Sequence, residues 1–270
     1  SNTVYFVFED SKKRIWVGTN EGLNLYDKTT SSFSHYSDTP NSPKGLICSI
    51  YEDSNGILWL SVFGRGLFLF DPEKNFFWHY NHDPQDEKSL KSNMVSQVFE
   101  DNEGAIWVVA RYVHKVIRNG EKREGYGNLS FELLGRTDDF FLVVVHADKK
   151  NRFWGGTGYG GLLLIDPKTG RIVKNYTEKE GYHLYGKGVF SINEDDNENL
   201  WIFGSSGIEK FNPNNEVFEI FDETSGVSFS PSGRLTDKNK NGWILATTGK
   251  NGYYVFHPDS IRSNKIPVYR

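Results

Sequence analysis

The chain has 270 residues with 31 Lys and Arg against 35 Asp and Glu, and its net charge of -4 gives no general attraction to nucleic acid or to anionic lipid. Aromatic residues make up 15% of the chain while Met occurs once, as expected where stiff aromatic and β-branched side chains fill the space between sheets. The single cysteine, Cys48, excludes an internal disulfide and reads as a buried small apolar residue of a strand.

Taken in order, the first repeat carries strand-like runs at Val4 to Glu9, Ile15 to Thr19, Leu23 to Asp27 and Phe33 to Tyr36, each short and bounded by turn residues. The segment SDTPNSPKG then breaks the pattern. The second repeat, Ser49 to Tyr80, is the clearest: two runs around an acidic turn, a glycine turn at Gly64 and Gly66, and two aromatic runs. Its outgoing loop, Asn81 to Asn93, is long and charged, which predicts an exposed connection. The third repeat keeps Asp101, Gly104 and Trp107, but Ala110, Arg111, Tyr112, Val113 and His114 replace the glycine turn, and a polar excursion runs from Arg118 to Asn128. Function and neutral drift in an exposed loop both account for such a break.

The fourth repeat runs through Phe141 to His146 and Trp154 into the glycine-rich Gly155 to Gly161. Its GTGYGG lies between two strands and opens no helix, so it predicts a tight turn and not a phosphate loop. The longest apolar run, Phe140 to Val145, has the length of a buried strand and not of a membrane span. The fifth repeat, Val189 to Phe221, is regular. The sixth is degenerate: Pro231 and Gly233 interrupt its first strand, and the blade is three-stranded after Tyr253 to Phe256 unless Ile266 to Arg270 completes it. The chain starts on a strand and stops just after one, with no signal peptide, which reads as an excised domain whose targeting information lies outside it.

Tryptophans at Trp16, Trp59, Trp107, Trp154, Trp201 and Trp243 stand 43, 48, 47, 47 and 42 residues apart. Six residues before each stands an aspartate: Asp10, Asp53, Asp101, Asp148, Asp195 and Asp237, four of them preceded by Glu9, Glu52, Glu100 and Glu194. A period near 45 with four strands per unit predicts an all-β fold, a β-propeller with six four-stranded blades. No linker interrupts the register, so one domain is expected, with blades at about 1–40, 41–88, 89–136, 137–183, 184–224 and 225–270. A side chain present in every blade answers a need of every blade: Asp caps a turn and Trp supplies apolar area between sheets. DKNKNG at Asp237 to Gly242 matches the start of a calcium loop, but Thr248 stands where a bidentate glutamate is needed, and the seven His show no metal spacing. No metal and no cofactor is expected.

The pattern VxxIxEDxxGxxWVGTxxGLxxYD, nearly intact at Val4 to Asp27 and at Ile47 to Asp71, resembles the two-component regulator propeller repeat. The tail FHPDSIRSNKIPVYR, Phe256 to Arg270, is similar to the family's segment that leads from the last blade into a β-sandwich. The resemblance implies the periplasmic sensor region of a hybrid histidine kinase anchored in the inner membrane, which signals oligosaccharide binding through further domains of the same chain. No phosphoacceptor helix or nucleotide loop occurs, so this piece would sense and not catalyse. Family propellers often have more blades than six, which leaves an incomplete ring open.

Two other readings stand beside it. Sialidases are six-bladed propellers with Asp boxes, but there glycine follows the aspartate by two and tryptophan by five, whereas Gly56 and Gly104 follow by three here and each tryptophan by six. A sialidase also needs an arginine cluster and a tyrosine activated by a carboxylate. The third reading is a platform that binds a protein partner or forms a homodimer. In a propeller the turn between the second and third strands shares a face with the loop that enters each blade. Arg65, Arg111, Tyr112, Tyr159, Tyr185, Lys187 and Lys250 are therefore expected on one surface, with Arg and Lys suited to an acidic sugar and Tyr to a pyranose face.

Overall fold

The computed structural model describes residues 3–36, 39–119, 124–135, 140–177, 188–204, 207–221, 236–238, 241–247 and 252–261. Its strands fall into consecutive antiparallel sheets, each a meander of neighbouring strands. The first blade is β1 (Val4–Glu9), β2 (Ile15–Thr19), β3 (Gly22–Asp27) and β4 (Ser32–His35); the second is β5 (Ile47–Glu52), β6 (Leu58–Val62), β7 (Gly66–Asp71) and β8 (Phe76–Tyr80). The third is β9 (Val95–Glu100), β10 (Ile106–Ala110), β11 (Tyr112–Arg118) and β12 (Leu129–Leu133); the fourth is β13 (Leu142–Ala147), β14 (Phe153–Thr157), β15 (Leu162–Ile165) and β16 (Ile172–Tyr176). The fifth is β17 (Val189–Glu194), β18 (Leu200–Gly204), β19 (Ile208–Asn212) and β20 (Val217–Phe221). The sixth has three strands among the described residues: β21 (Thr236–Lys238), β22 (Ile244–Thr247) and β23 (Tyr253–Phe256).

The fold is thus all-β, with five four-stranded blades and one three-stranded blade, and the only helical elements among the described residues are single 3-10 turns at Glu124–Gly127 and Pro258–Ser260. No helix there is long and apolar enough to cross a membrane. The Ile266 to Arg270 segment and the Pro231 and Gly233 interruption lie outside the described residues. The chain divides into two compact units: Ser1–Thr137 with Lys168–Gly170, and Asp138–Pro167 with Arg171–Arg270. The first holds blades one to three and the second blades four to six.

The second strand of each four-stranded blade is buried almost throughout, because it is flanked within its sheet and covered on its faces. That is why these strands read IWVGT, LWLSV, IWVVA, FWGGT and LWIFG, with no alternation. Glycine stands in β14 because a Cβ at Gly156 would come within 2.6 Å of both Val144 and Val189, so the neighbouring blade approaches too closely for a side chain. Cys48 lies in β5 and is half-buried, less enclosed than expected.

Within each unit the tryptophan of one blade is the wedge against the next. Trp16 meets Phe70 of the second blade edge-on at 5.6 Å, and Trp59 joins Val98, Ile106, Val108 and Val116 of the third in one cluster. In the second unit Trp154 meets Phe211 at 5.5 Å, and Trp201 lies 5.2 Å from Phe256. Trp107 is also buried. Trp243 differs: it is 44% exposed, with its ring edge to His257, so the sixth tryptophan does not repeat the role expected of it. Phe141 is likewise exposed, and the buried strand predicted over Phe140 to Val145 starts at Leu142.

Replacing Trp59 by Ala is expected to cost about 3–5 kcal/mol in urea unfolding, whereas Trp243→Ala should cost under about 1 kcal/mol. Equal losses at the two positions would show that the wedge is not what separates them.

Candidate functional site

The repeated acidic turn is the first place to look for chemistry, and its geometry is the same five times. One oxygen of each aspartate, Oδ2, accepts the indole N–H of its tryptophan: Asp10 from Trp16 at 2.8 Å, Asp53 from Trp59 at 3.0 Å, Asp101 from Trp107 at 2.8 Å, Asp148 from Trp154 at 2.8 Å and Asp195 from Trp201 at 2.9 Å. The other oxygen accepts the backbone N–H groups two and four residues on, as with Lys12 and Arg14 on Asp10 at 3.0 and 2.8 Å and Asn197 and Asn199 on Asp195 at 2.9 and 2.8 Å. These carboxylates are buried, and both oxygens of each accept the bonds that hold the turn and the indole. Among the described residues no cluster of His, Cys, Asp or Glu could hold a metal ion. Burial works to raise the Asp10 pKa, but the bonds from Trp16 and from the Arg14 backbone and guanidinium outweigh it and hold the carboxyl below its usual range.

The glutamates that precede the aspartates clasp neighbouring blades. Glu52 accepts the Ser11 backbone N–H at 2.7 Å and its hydroxyl at 2.8 Å; Glu194 accepts the Lys149 backbone N–H at 2.9 Å. Glu100 is different, because its bond comes from the Tyr51 hydroxyl. This seam, between the second and third blades, is where the polar excursion of the third repeat ends up. Its 3-10 turn places Tyr126 inside the second blade's territory, edge-on to Trp59 at 6.2 Å and 5.8 Å from Trp78. The Tyr126 hydroxyl donates to Asp53, Asn55 Nδ2 donates to that hydroxyl at 2.8 Å, and Tyr80 donates to the Tyr126 carbonyl. Arg118, at the end of β11, lies over the Tyr126 ring at 4.9 Å and bonds Asp53 at 3.1 Å. In the first and fourth blades the equivalent guanidinium is local: Arg14 and Arg152 bond their own box aspartates at 2.5 and 2.6 Å. A cleft lined by Asp53, Ser54, Glu100, Gly104, Ile106 and Arg118 opens in this seam.

The seam contains two tyrosine–carboxylate pairs, the arrangement the sialidase reading asks for. Burial, with the adjacent Glu100 and Asp53 carboxylates, raises the Tyr51 and Tyr126 phenols and keeps both protonated. Tyr126 is buried and Arg118 pairs with Asp53 through Nη2, which gives the Tyr126–Asp53 pair the character of a brace.

Four of the seven residues expected on one ligand face, Arg65, Arg111, Tyr112 and Tyr159, are among the described residues. Arg111 forms the entire turn between β10 and β11, with φ +65°, and its guanidinium lies 5.6 Å from the Tyr112 ring centre. Arg65 stands in the corresponding turn of the second blade, its side chain beside Gly45. Arg65, Arg111 and Tyr112 belong to the first unit and Tyr159 to the second, where it is 91% exposed. Tyr185, Lys187 and Lys250 lie outside the described residues. Beneath the Arg111 turn, His114 is fully buried; its Nε2 accepts the Lys91 backbone N–H at 3.2 Å and its Nδ1 lies 3.1 Å from the Tyr112 carbonyl. Nothing in the spacing of the chain singles out this histidine as a brace.

Burial lowers the His114 pKa from 6.5 to about 4, only partly offset by its backbone bonds, so the folded protein holds it neutral. The unfolded chain binds a proton here that the folded chain does not, and stability should therefore fall as pH drops from 6.5 toward 4, by up to roughly 3 kcal/mol. His114→Gln should flatten this part of the pH profile in urea titrations; an unchanged profile would show that His114 does not carry it.

Residues 1–21 match the family model described as Two component regulator propeller. A curated relative, Histidine kinase P4 of Formosa agariphila, is 25% identical over 265 residues, which cover 93% of this chain and 18% of that protein. The chain therefore spans about a fifth of the length of the curated relative it matches. The extracellular domain of a hybrid two component system from B. thetaiotaomicron superposes with TM-score 0.70 at 19% identity, covering 94% of this chain and 40% of that one. Virginiamycin B lyase from Staphylococcus aureus superposes with TM-score 0.63 at 12% identity, covering 96% and 85%. The last two likenesses show the propeller fold alone. The first copy of the repeated box, within residues 1–21, is thus similar to the two component regulator propeller repeat, and the later copies share its aspartate and tryptophan.

Proposed function

We propose that this chain is the ligand-sensing propeller of a hybrid two-component sensor kinase, placed in the periplasm as part of a receptor anchored in the inner membrane, and that its ligand is an oligosaccharide. The observation that carries this reading is the division of labour in the molecule. Every box carboxylate described accepts backbone and indole donors, while Arg65, Arg111 and Tyr159, in the turns between second and third strands, are exposed. Such a surface binds without supplying a nucleophile. In the first unit Arg65 and Arg111 suit carboxylate or sulfate groups and Tyr112 offers a flat apolar face to a pyranose ring, and in the second unit the exposed Tyr159 offers another. The names of the kinase relative and of the extracellular domain with the same fold support the sensing role. Further domains of the same chain would carry the signal, and a homodimer would suit it.

Calorimetric titration against neutral and acidic oligosaccharides tests the reading. Arg111→Ala and Tyr112→Ala should each weaken binding about tenfold, roughly 1.4 kcal/mol, with little change in thermal midpoint. Unchanged affinity in both would move the site off this face, and turnover of the sugar would overturn the sensor reading in favour of a glycosidase.

A further inference from the structure

The cleft between the second and third blades exists where a repeated bond is missing. In the first seam the residue after the box aspartate, Ser11, donates from its backbone and hydroxyl to the next blade's Glu52; in the seam between the fourth and fifth blades Lys149 does the same to Glu194 through its backbone. The equivalent pair here is Ser54 and Glu100. They face the same cleft with no bond between them, and Glu100 accepts from Tyr51 through Oε2. What sibling seams close, this one leaves open, with a volume of about 300 Å³. That is the lower end of the roughly 300–1,000 Å³ range of small-molecule sites.

We propose that this cleft binds a neutral pyranose unit, held between the Ser54 turn and Glu100 where sibling seams join the two blades directly. Ser54 supplies the donors its counterpart Ser11 uses, Arg118 adds guanidinium N–H groups, and Glu100 is an acceptor whose Oε1 lies 3.7 Å from where a Gly104 Cβ would stand. Ile106 and Val116 give an apolar wall for the C–H face of a ring. Charge selects the class. Arg118 is paired with Asp53, so Glu100 leaves the cleft one net negative charge, which repels carboxylate, sulfate and phosphate groups. The ligand class rests on the sensing role proposed above; the site does not, and it lies at the acidic-turn end of the blades and not among the Arg111 and Tyr112 turns.

Amide NMR titration with the methyl glycosides of glucose, galactose and mannose, and with glucuronate as the charged control, tests this. At least one neutral glycoside should shift the Ser54, Glu100 and Gly104 amides in a saturable way, and glucuronate should bind about tenfold more weakly or worse. Ser54→Trp, at an exposed turn position, should abolish the shifts while the thermal midpoint holds, and Glu100→Gln should weaken binding about tenfold as a second, milder variant. Arg111→Ala should leave these shifts intact, which separates this site from the loop face. No saturable shift at the three amides with any neutral glycoside, wild-type binding in both cleft variants, or tighter binding of glucuronate would overturn the proposal.

Discussion

The bond from a tryptophan indole to a buried aspartate is the interaction on which this structure depends. A carboxylate withdrawn from water costs several kcal/mol unless its lone pairs are filled, and here two backbone donors and one indole donor fill them. The same three bonds close the turn between the first two strands and set the indole at the angle at which its ring wedges against the next blade. Turn, strand pairing and blade packing are thus secured by one side chain per repeat.

The seam between the second and third blades shows how far the scheme can be altered. Its guanidinium comes from β11 of the next blade and not from the turn itself, and Tyr126 adds a third donor to Asp53 Oδ2. The third repeat's departure from the frame is therefore a strap that ties two blades together. It lengthens the connection between β11 and β12 and at the same time reduces the preceding turn to Arg111 alone. In the same seam Glu100 accepts from Tyr51, and Arg118 pairs with Asp53.

Much of this was legible in the chain and some was not, for physical reasons. Strand positions, repeat period and the capping role of Asp follow from local spacing, and the predicted runs at Val4 to Glu9 and Ile15 to Thr19 coincide with β1 and β2. The indole bond follows from the same spacing once the strand is built, because six residues bring Trp59 back over Asp53, but a capping argument does not require it. The glutamates in register were visible without a role, since their partners lie about 40 to 50 residues away in another blade, as with Ser11 and Glu52. Arg118 and Tyr126 were hidden for the same reason: a polar excursion looks alike whether it is solvated or docked. The exposure of Trp243 was also invisible, because register shows which residue recurs and not what covers it.

The central claim is that the box aspartates serve the fold through their tryptophans. Hydrogen exchange of the indole N–H groups in the native protein reads this directly. The indoles of Trp16, Trp59, Trp107, Trp154 and Trp201 should exchange only on unfolding or large-scale opening, orders of magnitude more slowly than that of the half-exposed Trp243. Exchange of the five as fast as that of Trp243 would contradict the account, because it would leave the aspartates available for other work.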